Sequence, residues 1–157
     1  MTILACNYLH LACPDPEPVV ERRRPVRLLV VDDSPKVLAA LLWIFADEPD
    51  LVVAATALSA ESALEAARHS HPDVVLMDVR MPGMGGLAAV RYLKQGEQPP
   101  LVLLLSLQDD FALRREAELA GADALLVKTE LDGASLRQLI EQFEADRDAS
   151  GAARRRA

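Results

Sequence analysis

A chain of 157 residues, 51% of them hydrophobic, suits one domain with tails and holds enough apolar material for one filled core, which excludes global disorder. Its formal net charge of -7 and its 4% of aromatic residues argue against a dedicated nucleic-acid binder, which needs a basic footprint or a base-stacking surface.

Residues 1–26 read as a flexible N-terminal tail. Cys6 and Cys13 lie there, too few for a disulfide framework, and no Cys/His pattern resembles a zinc site. The first stretch is fairly apolar, but it has no Lys or Arg to form a charged n-region, and Asn7 and His10 interrupt it. A secretory signal is therefore not expected, and no stretch approaches the length of a membrane-spanning helix. The expectation is a cytoplasmic protein without membrane contact. Pro14, Pro16, Pro18 and Pro25 favour an extended, solvated segment, and Arg22-Arg23-Arg24 reads as a solubilising flank.

A regular alternation begins at Arg27 and defines a domain over residues 27–146. Leu28 to Val31 is an apolar strand ending in Asp32-Asp33, and Ser34-Pro35 opens a helix to about Phe45. Val37, Leu41 and Ile44 share one face of that helix, and Trp43 is expected to pack. Leu51 to Ala55 is a second strand, followed by a helix from Ser59 to about Arg68 with a capping-type Ser. Val74 to Met77 is a third strand that stops on Asp78. A Met-Pro-Gly turn follows, then a helix from about Gly86 to Lys94. Leu101 to Leu105 is a fourth strand ending at Ser106, with a helix opened by Asp109-Asp110 and stopped near Gly121. Asp123 to Val127 is a short fifth strand ending at Lys128. In the last helix Leu136, Leu139, Ile140 and Phe143 lay one apolar stripe. Residues 147–157 read as a disordered C-terminal tail.

Strand and helix alternate with short connections, and right-handed crossovers then give an α/β fold with a parallel sheet covered by helices on both faces. The polar residues that recur where strands end are Asp32, Asp33, Asp78, Ser106 and Lys128, all at one edge of the sheet. Singly each has an ordinary explanation, as a helix cap, a turn carboxylate or a solvated charge. Together they carry chemistry. Three crowded carboxylates raise one another's proton affinity, a hard divalent cation relieves the repulsion, and an all-oxygen site suits Mg²⁺. Lys128 and Ser106 add a cation and a hydroxyl suited to phosphoryl oxygens. Phosphoryl transfer needs chiefly positioning and charge neutralisation, and a carboxylate can serve as the nucleophile. There is no G-x-x-x-x-G-K-[ST] loop and no G-x-G-x-x-G after the first strand. Ser106 has no histidine at a strand end to activate it, since His10, His69 and His71 lie in the tail or at a helix end, where they read as surface residues.

The segments Leu-Leu-Val-Val-Asp-Asp (28–33), Pro-Asp-Val-Val-Leu-Met-Asp-Val-Arg-Met-Pro-Gly-Met (72–84), the Ser106 strand end and Gly-Ala-Asp-Ala-Leu-Leu-Val-Lys (121–128) resemble the receiver domain of two-component response regulators. The resemblance runs from about Arg27 to Glu144. It implies a flavodoxin-like (βα)5 doubly wound sandwich whose five-stranded parallel sheet has the order 2-1-3-4-5. It also implies that Asp78 is the phosphoacceptor for a histidine kinase or histidine phosphotransfer protein. Asp33 and Asp78 would ligate Mg²⁺ with the backbone carbonyl of Arg80, Asp32 would act mainly through the metal's waters, and Ser106 and Lys128 would hold the phosphoryl oxygens.

Four positions depart from the family's common pattern. Leu125 stands where an aromatic residue usually reports activation, which puts aromatic-type switching in doubt. Thr129 follows the lysine where Pro is usual. Gly85 replaces a frequent Asp. Leu107 is bulkier than the usual Ala or Gly after the key hydroxyl, and would slow water's access to the phosphoryl group. Thr129 and Leu107 are similar to receivers that carry helix-turn-helix output domains, yet too few residues follow Asp146 for one. The expectation is a receiver standing alone or cut from a longer protein. It would signal to a downstream protein or a second copy through the face of the fourth helix, fifth strand and last helix, with no nucleic acid bound by this chain. Two other classes stay open: a phosphorylation-independent, receiver-like interaction domain, and a Mg²⁺-dependent phosphohydrolase with an aspartyl intermediate. The second lacks an obvious lid or substrate-pocket insertion.

Overall fold

The runs of Val and Leu without polar alternation form strands that are covered on both faces. In the computed structural model, which describes residues 24–154 and side chains as far as residue 149, they are β1 (Val26–Val31), β2 (Leu51–Ala57), β3 (Val74–Asp78), β4 (Leu101–Ser106) and β5 (Ala124–Val127). All pair in parallel, in the order β2-β1-β3-β4-β5, as expected. Helices α1 (Pro35–Ala46), α2 (Ala60–Ser70), α3 (Gly85–Leu93), α4 (Phe111–Ala120) and α5 (Gly133–Arg154) connect and cover them.

Alternate strand residues face opposite sides of the sheet and build two cores. Leu29, Val31, Val75, Met77, Val102 and Leu104 pack with residues of α2, α3 and α4. Leu28, Val30, Leu76, Leu103 and Leu105 pack with Leu38, Leu41 and Phe45 of α1 and Leu136 and Ile140 of α5. Each such buried side chain contributes about 1.5–3 kcal/mol of transfer free energy. Two aspartates that precede strands lock their lower ends, Asp73 accepting the Arg27 N–H at 2.9 Å and Asp123 accepting the Val102 N–H at 2.7 Å.

The helices start on residues suited to starting them. Ser34 caps α1 with Pro35 in its first turn, Ser59 and Ser62 form a reciprocal capping box on α2, and Asp110 accepts the Ala112 N–H at 2.8 Å to open α4. Gly121, at φ 95, ends α4 in the left-handed conformation.

Three expectations need correction. Trp43 does not pack: it is 80% exposed on the outer side of α1, whose inner side is filled by Leu38, Leu41 and Phe45. The tail expected from residue 147 is helical as far as Arg154, because nothing after Asp146 acts as a stop signal until the lone Gly151. Order also begins before residue 27, with Arg24 paired to Asp73 at 2.8 Å and Val26 opening β1. The remainder of the expected N-terminal tail, including His10, Cys6 and Cys13, and the residues after 154 lie outside the described residues.

One glycine holds α3 against the sheet. A Cβ on Gly86 would stand 2.3 Å from the Asp78 carbonyl oxygen and 3.1 Å from Val79 Cα, both backbone atoms that cannot swing aside. Gly86→Ala is therefore expected to destabilise the fold by about 2–3 kcal/mol despite alanine's better helix propensity, because overpacking outweighs it. Chemical denaturation of the two proteins would measure this, and an unchanged midpoint would contradict the close approach.

Candidate functional site

The carboxyl ends of β1, β3, β4 and β5 bring together four of the five strand-end residues. Asp32 follows Val31, and is 1% exposed; Asp78 is the last residue of β3, and is 7% exposed. Lys128 follows β5 and reaches across the sheet edge. Its Nζ donates to Asp32 Oδ2 at 2.5 Å and stands 3.0 Å from Asp78 Oδ1. Ser106 closes β4 on the same cavity, a space of about 180 Å³ that it shares with Asp78, Arg80, Leu107, Gln108 and Lys128. The other oxygen of Asp32 accepts the Ser34 N–H at 2.9 Å, and Ser106 Oγ accepts the Gln108 N–H at 3.3 Å. A larger cavity of about 620 Å³ is walled by His71, Pro72, Tyr92 and Pro99, and has no part of this constellation.

Asp33 differs from its neighbour. It is exposed, since adjacent residues leaving a strand point to different sides. Among the described residues no group of three or more His, Cys, Asp or Glu side chains is close enough together to hold a metal. What stands between the two buried carboxylates is the ammonium of Lys128. Arg80 contributes its backbone N–H to the Asp78 carboxyl, a contact the sequence does not announce.

Two carboxylates and one ammonium leave the buried group short of positive charge. Burial pushes the Asp78 carboxyl above its ordinary range, the hydrogen bond and charge of Lys128 oppose this, and the nearby Asp32 charge adds to it. Burial depresses Lys128, but its hydrogen bonds to Asp32 and Asp78 and their charges outweigh that, so the ammonium is held above its ordinary value and stays charged. The oxygen-only donor set and the charge deficit fit a hard cation rather than a soft one.

The strand order and the short alternating helices make this a flavodoxin-like doubly wound fold, and the buried carboxylate, lysine and hydroxyl lie on the rim where such sheets bind ligands. The family model described as "Response regulator receiver domain" matches residues 28–141, and the chain belongs to that family, a phosphorelay receiver domain. The response regulator GacA of Pseudomonas viridiflava is 36% identical over 116 residues, which cover 74% of this chain and 52% of that protein. A protein-glutamate methylesterase/protein-glutamine glutaminase of Nitrosospira multiformis is 34% identical over 102 residues, 65% of this chain and 29% of the relative. That match is confined to a receiver part, so it carries no esterase activity over. The chain thus spans about half or less of the length of these curated relatives. Among solved structures, the NarL signal receiver domain of Mycobacterium tuberculosis superposes with a TM-score of 0.70 at 29% identity, covering 76% of this chain and 98% of that one. A chain of the CheX–CheY complex with beryllofluoride and magnesium from Borrelia burgdorferi gives 0.67 at 27% identity, covering 76% and 90%.

Among the described residues no helix is long and apolar enough to cross a membrane. Sequence reasoning missed one residue that bears on this site, Glu61, whose side chain meets the turn after β3 from a different helix.

Proposed function

We propose that Asp78 accepts a phosphoryl group from the phosphohistidine of a histidine kinase or phosphotransfer protein. The observation that carries this reading is the pairing of Asp78 with Lys128 on a cavity that also exposes Ser106. A carboxylate oxygen of Asp78 forms the new bond to phosphorus as the phosphorus–nitrogen bond breaks, and the histidine nitrogen keeps the electron pair. Lys128 would offset the negative charge on one phosphoryl oxygen, and the Ser106 hydroxyl would donate to another. Asp33, Asp78 and the Arg80 carbonyl would hold Mg²⁺, with Asp32 acting through the metal's waters. When bound, the metal supplies the positive charge that the carboxylates lack and neutralises the incoming phosphoryl oxygens.

Acylphosphate formation would act at a distance through the face of α4, β5 and α5, on a downstream protein or a second copy of the chain. Phe111 and Leu119 stand exposed on α4, which suits an apolar contact there. Such a partnership belongs to the cytoplasm, where kinases present their phosphohistidines. Incubation with acetyl phosphate and Mg²⁺ is expected to add one phosphoryl group per chain, read as intact mass, and a chelator is expected to prevent it. A folded protein that gains no mass under these conditions would overturn the reading.

A further inference from the structure

Helix α3 begins without a cap of its own. Met84, at its N-cap, makes no side-chain hydrogen bond, and its first turn holds no acidic residue. The N–H groups that open a helix still need acceptors. One acceptor comes from another helix: Glu61, in the first turn of α2, takes the Met84 N–H on Oε1 at 2.9 Å. The same oxygen lies 2.8 Å from the place a Cβ on Gly83 would occupy, so the Pro82-Gly83-Met84 turn rests directly on this carboxylate. Gly83 has φ 85, a conformation that favours glycine, which lets the backbone come this close.

That turn is the continuation of Asp78. At one end the Val79 N–H binds the Leu105 carbonyl at 3.0 Å, and at the other the Gly86 N–H binds the Val79 carbonyl at 3.1 Å. Between these anchors, Glu61 holds the middle. Its charge also faces the positive ends of both α2 and α3. The hydrogen bond from Met84 is the foremost cause that holds the Glu61 carboxyl below its usual range.

We infer that Glu61 is a positioning residue for phosphoryl acceptance: from 23 residues away in sequence it tethers, at Met84, the segment between the Val79 and Gly86 anchors, which continues the Asp78 main chain and includes Arg80. The inference rests on the role proposed for Asp78. Glu61 itself is exposed, so its contact adds little to global stability, and its effect is confined to the order of the turn.

The test compares wild type, Glu61→Ala and Glu61→Gln by amide exchange without metal, by Mg²⁺ titration calorimetry and by thermal unfolding. Exchange at Met84 is expected to accelerate in the Ala variant. Its Mg²⁺ Kd is expected to rise about five-fold, the factor lost with one helix cap of ordinary strength. The thermal midpoint should fall by no more than about 4 °C, the shift that one such cap gives a chain of this size. Glutamine keeps the acceptor oxygen, and should restore most of the protection and of the Mg²⁺ affinity. Wild-type exchange and Mg²⁺ affinity in the Ala variant would overturn the inference. A global loss of stability would overturn it too, since the effect would then not be local. Should wild type itself neither bind Mg²⁺ nor gain phosphorus, the Asp78 reading fails, while Met84 exchange still reports the Glu61 tether by itself.

Discussion

Asp78→Asn is expected to take up no phosphoryl group and, in metal-free buffer at neutral pH, to unfold at a higher temperature than wild type. The first effect follows from chemistry, because an amide oxygen is a poor nucleophile, Asp32 and Asp33 do not line the Ser106 cavity, and Asp110, which does, is engaged as the cap of α4 by the Ala112 N–H. The second follows from electrostatics. Burial holds the Asp78 carboxyl above its ordinary value of 3.8, so the folded protein keeps a proton there that the unfolded chain has released. Stability from this group is therefore lost as pH rises from 3.8 through the raised folded value, and above that value the full cost of ionisation stays. Asparagine removes the charge, keeps an oxygen for Lys128 and the Arg80 N–H, and ends the repulsion from Asp32. A gain of about 1 kcal/mol would move the midpoint by about 2–4 °C in a domain of this size. The two proteins should converge as the pH falls toward the ordinary carboxylate range. A variant less stable than wild type at neutral pH would mean that Lys128 more than compensates the burial of Asp78.

The fold was legible because its strands are buried on both faces, and such strands must be unbroken apolar runs. Leu28–Val31, Val74–Met77 and Leu101–Leu105 could hardly be anything else between turn residues. The site was legible for a related reason, since a polar residue directly after an apolar strand lies on the rim by construction. What stayed hidden depends on direction rather than periodicity. The doublet Asp32-Asp33 does not reveal which member turns inward; the structure buries the first and exposes the second. Trp43 is apolar and sits on an amphipathic helix, yet α1 already fills its inner side with Leu38, Leu41 and Phe45. Leu125, singled out for replacing an aromatic residue, is 6% exposed and is already part of the core beside Leu104 and Ala117, so there is no ring here to swing between surface and interior. Glu61 could not be found by spacing at all, because its partner is brought to it only when α2 and α3 pack side by side.

Lys128→Met is expected to lower both stability and labelling, the opposite of a pure loss of function. The variant leaves Asp32 and Asp78 in the protein interior without the cation that both face. Removing one member of a buried charge group costs about 3–5 kcal/mol, since the surviving charges stay desolvated and unpaired. The deficit should shrink in acid, where protonation of the carboxylates relieves it, and should shrink again on adding Mg²⁺, whose binding to the folded state alone stabilises it by mass action. Metal and lysine compete for the same carboxylate oxygens, so the variant should bind Mg²⁺ more tightly than wild type by the coupling the lysine imposes. Labelling by acetyl phosphate should nevertheless fall by roughly a hundred-fold or more with the metal present, the usual loss when one fixed donor to a developing anion is removed. Denaturation in the presence and absence of Mg²⁺, with intact-mass labelling on the same samples, separates the terms. If the variant were labelled at the wild-type rate, Lys128 would be a counter-charge for buried aspartates and nothing more, and the charge balance at this rim would have to be explained without it.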